Sequence, residues 1–118
     1  MFKINYYQTR QGRQPIKEYI DSLQAVADAN KDSRVKLKKI FEYLDVLTHH
    51  GTRAGQPYVK HIEGDLWELR PLADRIFFFC WQGDHFVLLH HVHKKTQKTP
   101  KREITQALNN MRDFIDRS

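Results

Sequence analysis

Hydrophobic positions change their period about halfway along the chain. In the first half, Ile16, Tyr19, Ile20 and Leu23 recur at offsets of 0, 3, 4 and 7, the stripe of an amphipathic helix, and Pro15 suits its first position. Leu37, Ile40, Phe41, Leu44 and Leu47 keep the same kind of spacing, and Gly51, after Thr48-His49-His50, marks the end of this second helix. The polar segment Asp28 to Ser33 predicts a short turn between them, and so an αα-hairpin. Ahead of it, Phe2 to Gln8 alternates loosely through Ile4, Tyr6 and Tyr7. This predicts an opening strand, which Gln11-Gly12-Arg13 ends.

Beyond the loop Gly55-Gln56-Pro57 the period falls to two. Tyr58–Ile62, Leu66–Arg70, Arg75–Gln82 and Phe86–His93 read as strands, joined by Glu63-Gly64-Asp65, Pro71–Asp74 and Gly83-Asp84. The glycine-containing joints are hairpin signals. Thr99 is the expected N-cap of a closing helix and Pro100 its first residue, with Ile104, Ala107, Leu108, Met111 and Ile115 as its apolar stripe. The order β-α-α-β-β-β-β-α predicts an α+β fold. It combines an N-terminal strand and helical hairpin, a mainly antiparallel sheet of four to five strands, and a C-terminal helix.

Strand alternation sorts side chains into faces. Trp67 and Leu69 are assigned to the helix-covered core, with Glu68 and Arg70 opposite. Ile76, Phe78 and Cys80 share one face of the next strand, and Arg75, Phe77, Phe79 and Trp81 share the other. Arg70 and Arg75 flank one connection and are expected to project together from a face without helices. In the alternative, each simply pairs with an acid such as Glu68 or Asp74. The row Phe77, Phe79 and Trp81 reads as packing rather than as a base-stacking platform. A single bulge would invert the phase of any of these strands.

Composition narrows the class. A length of 118 residues with 40% apolar content and seven Phe, five Tyr and two Trp predicts one folded domain over residues 1–118 rather than a disordered tail. Cys80 is the single cysteine, which excludes an internal disulfide and a zinc site built from several cysteines. A cytoplasmic, membrane-free protein without a signal peptide is expected.

Charge then picks out one stretch. His90–Arg102 holds Lys94, Lys95, Lys98, Lys101 and Arg102 and no acid, so it carries five of the chain's net +6 charges. Such a patch attracts polyanions. Lys101 and Arg102 sit in the first turn of the last helix, with Asp113 and Asp116 near its end. These placements oppose the helix macrodipole, at about 0.3–1 kcal/mol each. A bound anion at that N-terminus would account for the cations, and a merely basic solvated turn is the plainer alternative. Of the histidines, only His91 and His93 share a strand face, and no carboxylate adjoins them in the sequence, so no metal is expected. His90 reads as packed or hydrogen-bonded in the sheet. His91 and His93 are candidates for acid–base work beside the lysines.

The run Leu66-Trp67-Glu68-Leu69-Arg70, then Arg75-Ile76-Phe77-Phe78, then Leu88-Leu89-His90 and Lys94-Lys95-Thr96-Gln97-Lys98-Thr99-Pro100 resembles the HigB-like, phage-related branch of the RelE/ParE toxin superfamily. The likeness covers roughly residues 58–107 in detail. It implies a RelE-like fold and a type II toxin that cleaves mRNA, usually on the translating ribosome. It also implies a cognate helix-turn-helix antitoxin, through which operator DNA is bound indirectly. Arg70, Arg75, Lys94 and Lys95 match the basic residues of the pattern. The chain departs from that pattern at His91 and His93, where relatives often carry glycine and an apolar residue. It departs again at Leu66 and Glu68, where some members carry catalytic lysines.

The expected chemistry is cofactor-free attack of an RNA 2′-OH on the adjacent phosphorus. Arg70 and Arg75 would clamp the phosphate, Lys94 or Lys95 would stabilise the transition state, and His91 or His93 would move the proton. Lys98, Lys101 and Arg102, with Lys60 as a weaker candidate, would hold RNA or ribosome. The competing expectation is a non-catalytic basic module that binds nucleic acid or a protein partner.

Overall fold

Local signals start and stop the helices much as the periodicity predicts. The computed structural model describes residues 1–94 and 98–118. Helix α1 (Pro15–Val26) begins at its proline, and Glu18 accepts the Gln14 N–H at 3.1 Å. Helix α2 (Lys31–His50) begins inside the segment expected to be a turn, because Asn30 caps it by accepting the Ser33 N–H at 2.9 Å. Its end requires Gly51, which has φ +61 and lies against the Phe2 ring; a Cβ there would meet that ring at 2.8 Å. A short 3-10 turn, Gly51–Ala54, follows.

Strands β1 (Lys3–Tyr6), β2 (Val59–Glu63), β3 (Leu66–Leu69), β4 (Asp74–Trp81) and β5 (His85–His93) form one sheet in the order β1-β5-β4-β3-β2. The β1–β5 pair is parallel and the other pairs are antiparallel. Ile16, Ile20, Leu23, Ile40, Leu44 and Leu47 bury one sheet face together with Leu69, Ile76 and Phe78. The face expected to be free of helices is not. Helix α3 (Lys101–Arg117) covers Leu66, Phe77, Phe79, Val87 and Leu89 through Ala107 and its half-buried neighbours. Phe79 and Trp81 both meet Phe114 edge-on, so the aromatic row is packing. No helix among the described residues is long and apolar enough to cross a membrane.

One irregularity decides where the histidines go. Phe77 pairs with His90 and Phe78 with Leu88, so Leu89 is an extra residue in β5. A β-bulge of this kind inverts the alternation beyond it. Leu89 and His90 therefore both turn toward α3, where His90 Nε2 lies 3.0 Å from Glu103 Oε1. His91 then turns to the opposite face and stacks on Tyr19 of α1 at 3.7 Å. The bulge is held from α3 by the buried Asn110, whose Nδ2 donates to the Leu89 carbonyl at 2.8 Å.

The acid near the end of α3 also has a structural partner set. Asp113 accepts Tyr7 OH at 2.6 Å and Arg10 Nε at 2.8 Å, and it pairs with Arg117. The Tyr7 hydrogen bond, then Arg117, pull its carboxyl down to about 2. Its position reflects a clasp between the N-terminal strand's exit and the last helix, so it does not argue for an anion at the helix start. Thr99 does not cap α3 either. Pro100 occupies the cap position in an extended conformation without a side-chain bond.

Two stability measurements follow. Asn110→Ala is expected to cost about 1–3 kcal/mol in chemical denaturation, because the bulge carbonyl loses its donor. Asp113 ionises more readily folded than unfolded, so its stabilisation is complete above the ordinary aspartate value of 3.8 and is lost as pH falls toward about 2. The difference in Tm between wild type and Asp113→Asn should shrink across that window.

Candidate nucleic-acid site

The short connection from β3 to β4 brings the two arginines together. Glu68 pairs with Phe77 and Leu69 with Ile76, so Arg70 and Arg75 come next on adjacent strands and on the Glu68 face. Glu68 is 1% exposed. Its Oε1 lies 3.4 Å from Arg70 Nε and 3.8 Å from Arg75 Nε, and its Oε2 accepts Thr99 Oγ1 at 3.2 Å. The two expectations for the arginines thus coexist: each pairs with Glu68, and they also stand together. Neither pairing is a hydrogen bond, and both Nε donors are buried with no acceptor among the described residues. Such donors are costly to leave unmade.

Arg75 is further fixed by its backbone surroundings. Its Nη1 donates to the carbonyls of Leu72 and Asp74, each at 2.8 Å. Leu72 adopts φ 58, a left-handed conformation that costs a branched residue about 1–2 kcal/mol. That strain turns the Leu72 carbonyl toward the guanidinium, and it sits at a connection that sequence periodicity reads only as a loop.

Two lysines complete the cluster. Lys60 pairs across β2–β3 with Glu68, and the Lys94 backbone N–H is tied to the Ala73 carbonyl at 2.8 Å. Burial depresses the Lys94 ammonium, and the positive charges of Arg75, Arg70 and Lys60 depress it further against the opposing pull of Glu68. Burial and then Arg70 lower Arg75 in the same sense, although a guanidinium stays charged at any ordinary pH. Four cations thus surround one carboxylate.

The remaining predicted residues divide. Lys98, Lys101 and Arg102 are exposed around the start of α3, and Arg102 lies 3.9 Å from Glu103. Lys95 lies outside the described residues. His91 and His93 do not join the arginines. The bulge places them with Asp74, whose Oδ1 is 3.0 Å from His91 Nε2 and 3.2 Å from His93 Nδ1. A carboxylate therefore does adjoin them, supplied by the first residue of β4 and not visible from spacing. Tyr19 OH donates to its other oxygen at 2.9 Å. Both histidines point at one carboxylate oxygen, and no group of three or more described His, Cys, Asp or Glu residues has metal-holding geometry. A cleft of about 870 Å³ lies elsewhere, beside Phe2, His49, Trp67 and Phe86, and none of the predicted site residues among the described residues lines it.

Residues 17–112 match the family model described as phage-derived protein Gp49-like (DUF891), so the chain belongs to that family, which is part of the RelE/HigB-like toxin group. No curated protein matches the chain.

Removing the carboxylate tests how the cluster is held. Glu68→Gln leaves two half-buried guanidiniums without their counter-charge, which should cost about 3 kcal/mol in denaturant unfolding. Added inorganic phosphate should recover part of that loss by occupying the same donors.

Proposed function

We propose that this Gp49-like protein is the toxin of a type II toxin–antitoxin system and acts as a metal-independent endoribonuclease on mRNA bound to the translating ribosome. The observation that carries this reading is the surplus of positive charge around Glu68: Lys60, Arg70, Arg75 and Lys94 against the carboxylates of Glu68 and, beside Arg75, Asp74, with two buried guanidinium Nε donors without an acceptor among the described residues. A phosphodiester in transit from four to five oxygen ligands gathers negative charge, and fixed guanidiniums stabilise it without reorganising. Arg70 and Arg75 offer the planar, permanently charged donors that phosphate oxygens take. Lys94, whose ammonium is depressed by burial and then by its cationic neighbours, is suited to protonate the departing 5′-oxygen. The exposed Lys98, Lys101 and Arg102 extend the positive surface toward RNA or ribosome. The implied partners are a helix-turn-helix antitoxin, mRNA and the ribosome, with operator DNA reached through the antitoxin.

The competing reading is a basic binding module without catalysis, which accounts for the exposed lysines equally well. It gives no role to donors buried beneath the surface, since phosphate-tracking contacts need only exposed cations.

Induced expression in bacteria separates the two. Wild type should arrest growth and fragment transcripts, and Arg75→Ala should reduce cleavage by about 10²–10³-fold while the protein remains folded by circular dichroism. Intact transcripts under wild-type expression would favour the binding module.

A further inference from the structure

The connection between the two arginines contains a residue that its own turn does not favour. The Asp74 N–H donates to the Pro71 carbonyl at 3.1 Å, so Pro71–Asp74 is a β-turn with Leu72 as its first central residue. Leu72 has φ 58, and turns with a positive φ at that position are dominated by glycine, asparagine and aspartate. Among the described residues, Leu72 and Gln82 are the two non-glycine residues with positive φ, and Leu72 is the apolar one. A glycine would make the same turn without the steric cost.

The backbone's task does not account for the side chain. Arg75 is held by the Leu72 carbonyl, which accepts Nη1 at 2.8 Å, and any residue in this conformation presents a carbonyl. The side chain belongs to neither core, and the residue is 50% exposed, whereas Pro71 and Asp74 at the ends of the turn are buried. Strain and exposure both count against the folded state, and strain of this kind collects at binding sites. The position of the turn says what meets Leu72. Arg70 and Arg75 flank it in the chain, and the Ala73 carbonyl accepts the Lys94 N–H at 2.8 Å. The turn is therefore continuous with, or bonded to, three of the cluster's cations. A phosphate held by Arg75 lies beside this turn, and in a nucleic acid it brings bases whose flat faces suit an apolar contact.

We propose that Leu72 is a positioning residue that inserts between the two bases flanking the clamped phosphate and unstacks them. The inference rests on the ribonuclease reading above. Proteins that open a base step do so with apolar side chains, leucine among them. In stacked RNA the ribose holds O2′ out of line with the P–O5′ bond. Opening the step frees that ribose to swing O2′ into line while Arg70 and Arg75 keep the phosphate in place. In-line attack is sensitive to such placement, and a small misalignment costs about 10²-fold in rate.

Two synthetic messages on programmed ribosomes test it with the full chain. The first carries 2-aminopurine, which brightens on unstacking, just 3′ of a 2′-deoxy nucleotide at the cleaved position, so that it is bound and not cut. Wild type should raise its fluorescence, and Leu72→Gly should leave it near the stacked level. The second message is all ribose, and Leu72→Gly should cleave it about 10²-fold more slowly than wild type. An abasic site just 3′ of the cut should remove most of that difference, because no stack then needs opening. Glycine suits the left-handed conformation, so Leu72→Gly should unfold at the wild-type denaturant concentration or above it. Leu72→Asn, which also tolerates that conformation, repeats the comparison should the glycine variant fail to fold. Unchanged fluorescence with wild type bound overturns the wedge, as does cleavage by Leu72→Gly at the wild-type rate. A cleavage defect that the abasic message does not relieve also overturns it, and assigns Leu72 to a protein contact instead. A wild type that brightens the first message and leaves the second intact overturns the ribonuclease reading alone.

Discussion

Everything at the candidate site depends on one buried carboxylate. Glu68 lies almost fully out of water, and the two arginines that end β3 and open β4 lean on its Oε1 at 3.4 and 3.8 Å. A carboxylate in such surroundings is tolerated only when paired, and the pairing in turn prevents two neighbouring guanidiniums from repelling each other apart. The contact is close enough for Coulomb attraction and so holds the arginines in place, while neither Nε makes a hydrogen bond among the described residues. Thr99 bonds to the other carboxylate oxygen, so the approach to the last helix is tied to the same group.

The second organising constraint is the extra residue Leu89. Without it, regular alternation would send His91 and His93 to the face of Leu89 and the arginines. With it, His90 takes the α3 side and bonds Glu103, while His91 and His93 meet Asp74 and Tyr19 beneath α1. The strand end is then furnished on both faces, with cations on one and a carboxylate–histidine pair on the other. Asn110 stabilises this from α3 by capping the bulge carbonyl, which makes a polar core residue of the last helix part of the site's support.

Most of the fold was legible in the sequence for definite reasons. The α1 and α2 stripes obey the helical period, and the glycine-containing joints mark hairpins, so the element order and the packing faces of β3 and β4 follow from pattern alone. The meeting of Arg70 and Arg75 was legible because Pro71–Ala73 is too short to separate them. Other features depend on tertiary context. The bulge at Leu89 leaves no mark in a run of apolar residues, so the grouping of His91 and His93 with the lysines failed there. Asp74 reads as part of a connection until register sets it opposite His93. Asp113 opposes the helix dipole in sequence terms, and only the fold supplies Tyr7, Arg10 and Arg117 as its partners. The helix over the second sheet face was misjudged because alternation reveals that a face is apolar without naming its cover.

Membership of the Gp49-like family places the chain among toxin relatives, and the geometry around Glu68 supports a phosphodiester as the ligand. The most direct measurement compares two synthetic messages on programmed ribosomes, one fully ribose and one carrying a single 2′-deoxy nucleotide at the cleaved position. With chelator present, the account requires the ribose message to yield a 2′,3′-cyclic phosphate and a 5′-OH end, and the deoxy message to remain whole. Cleavage of the deoxy message, or fragments bearing a 5′-phosphate, would contradict it.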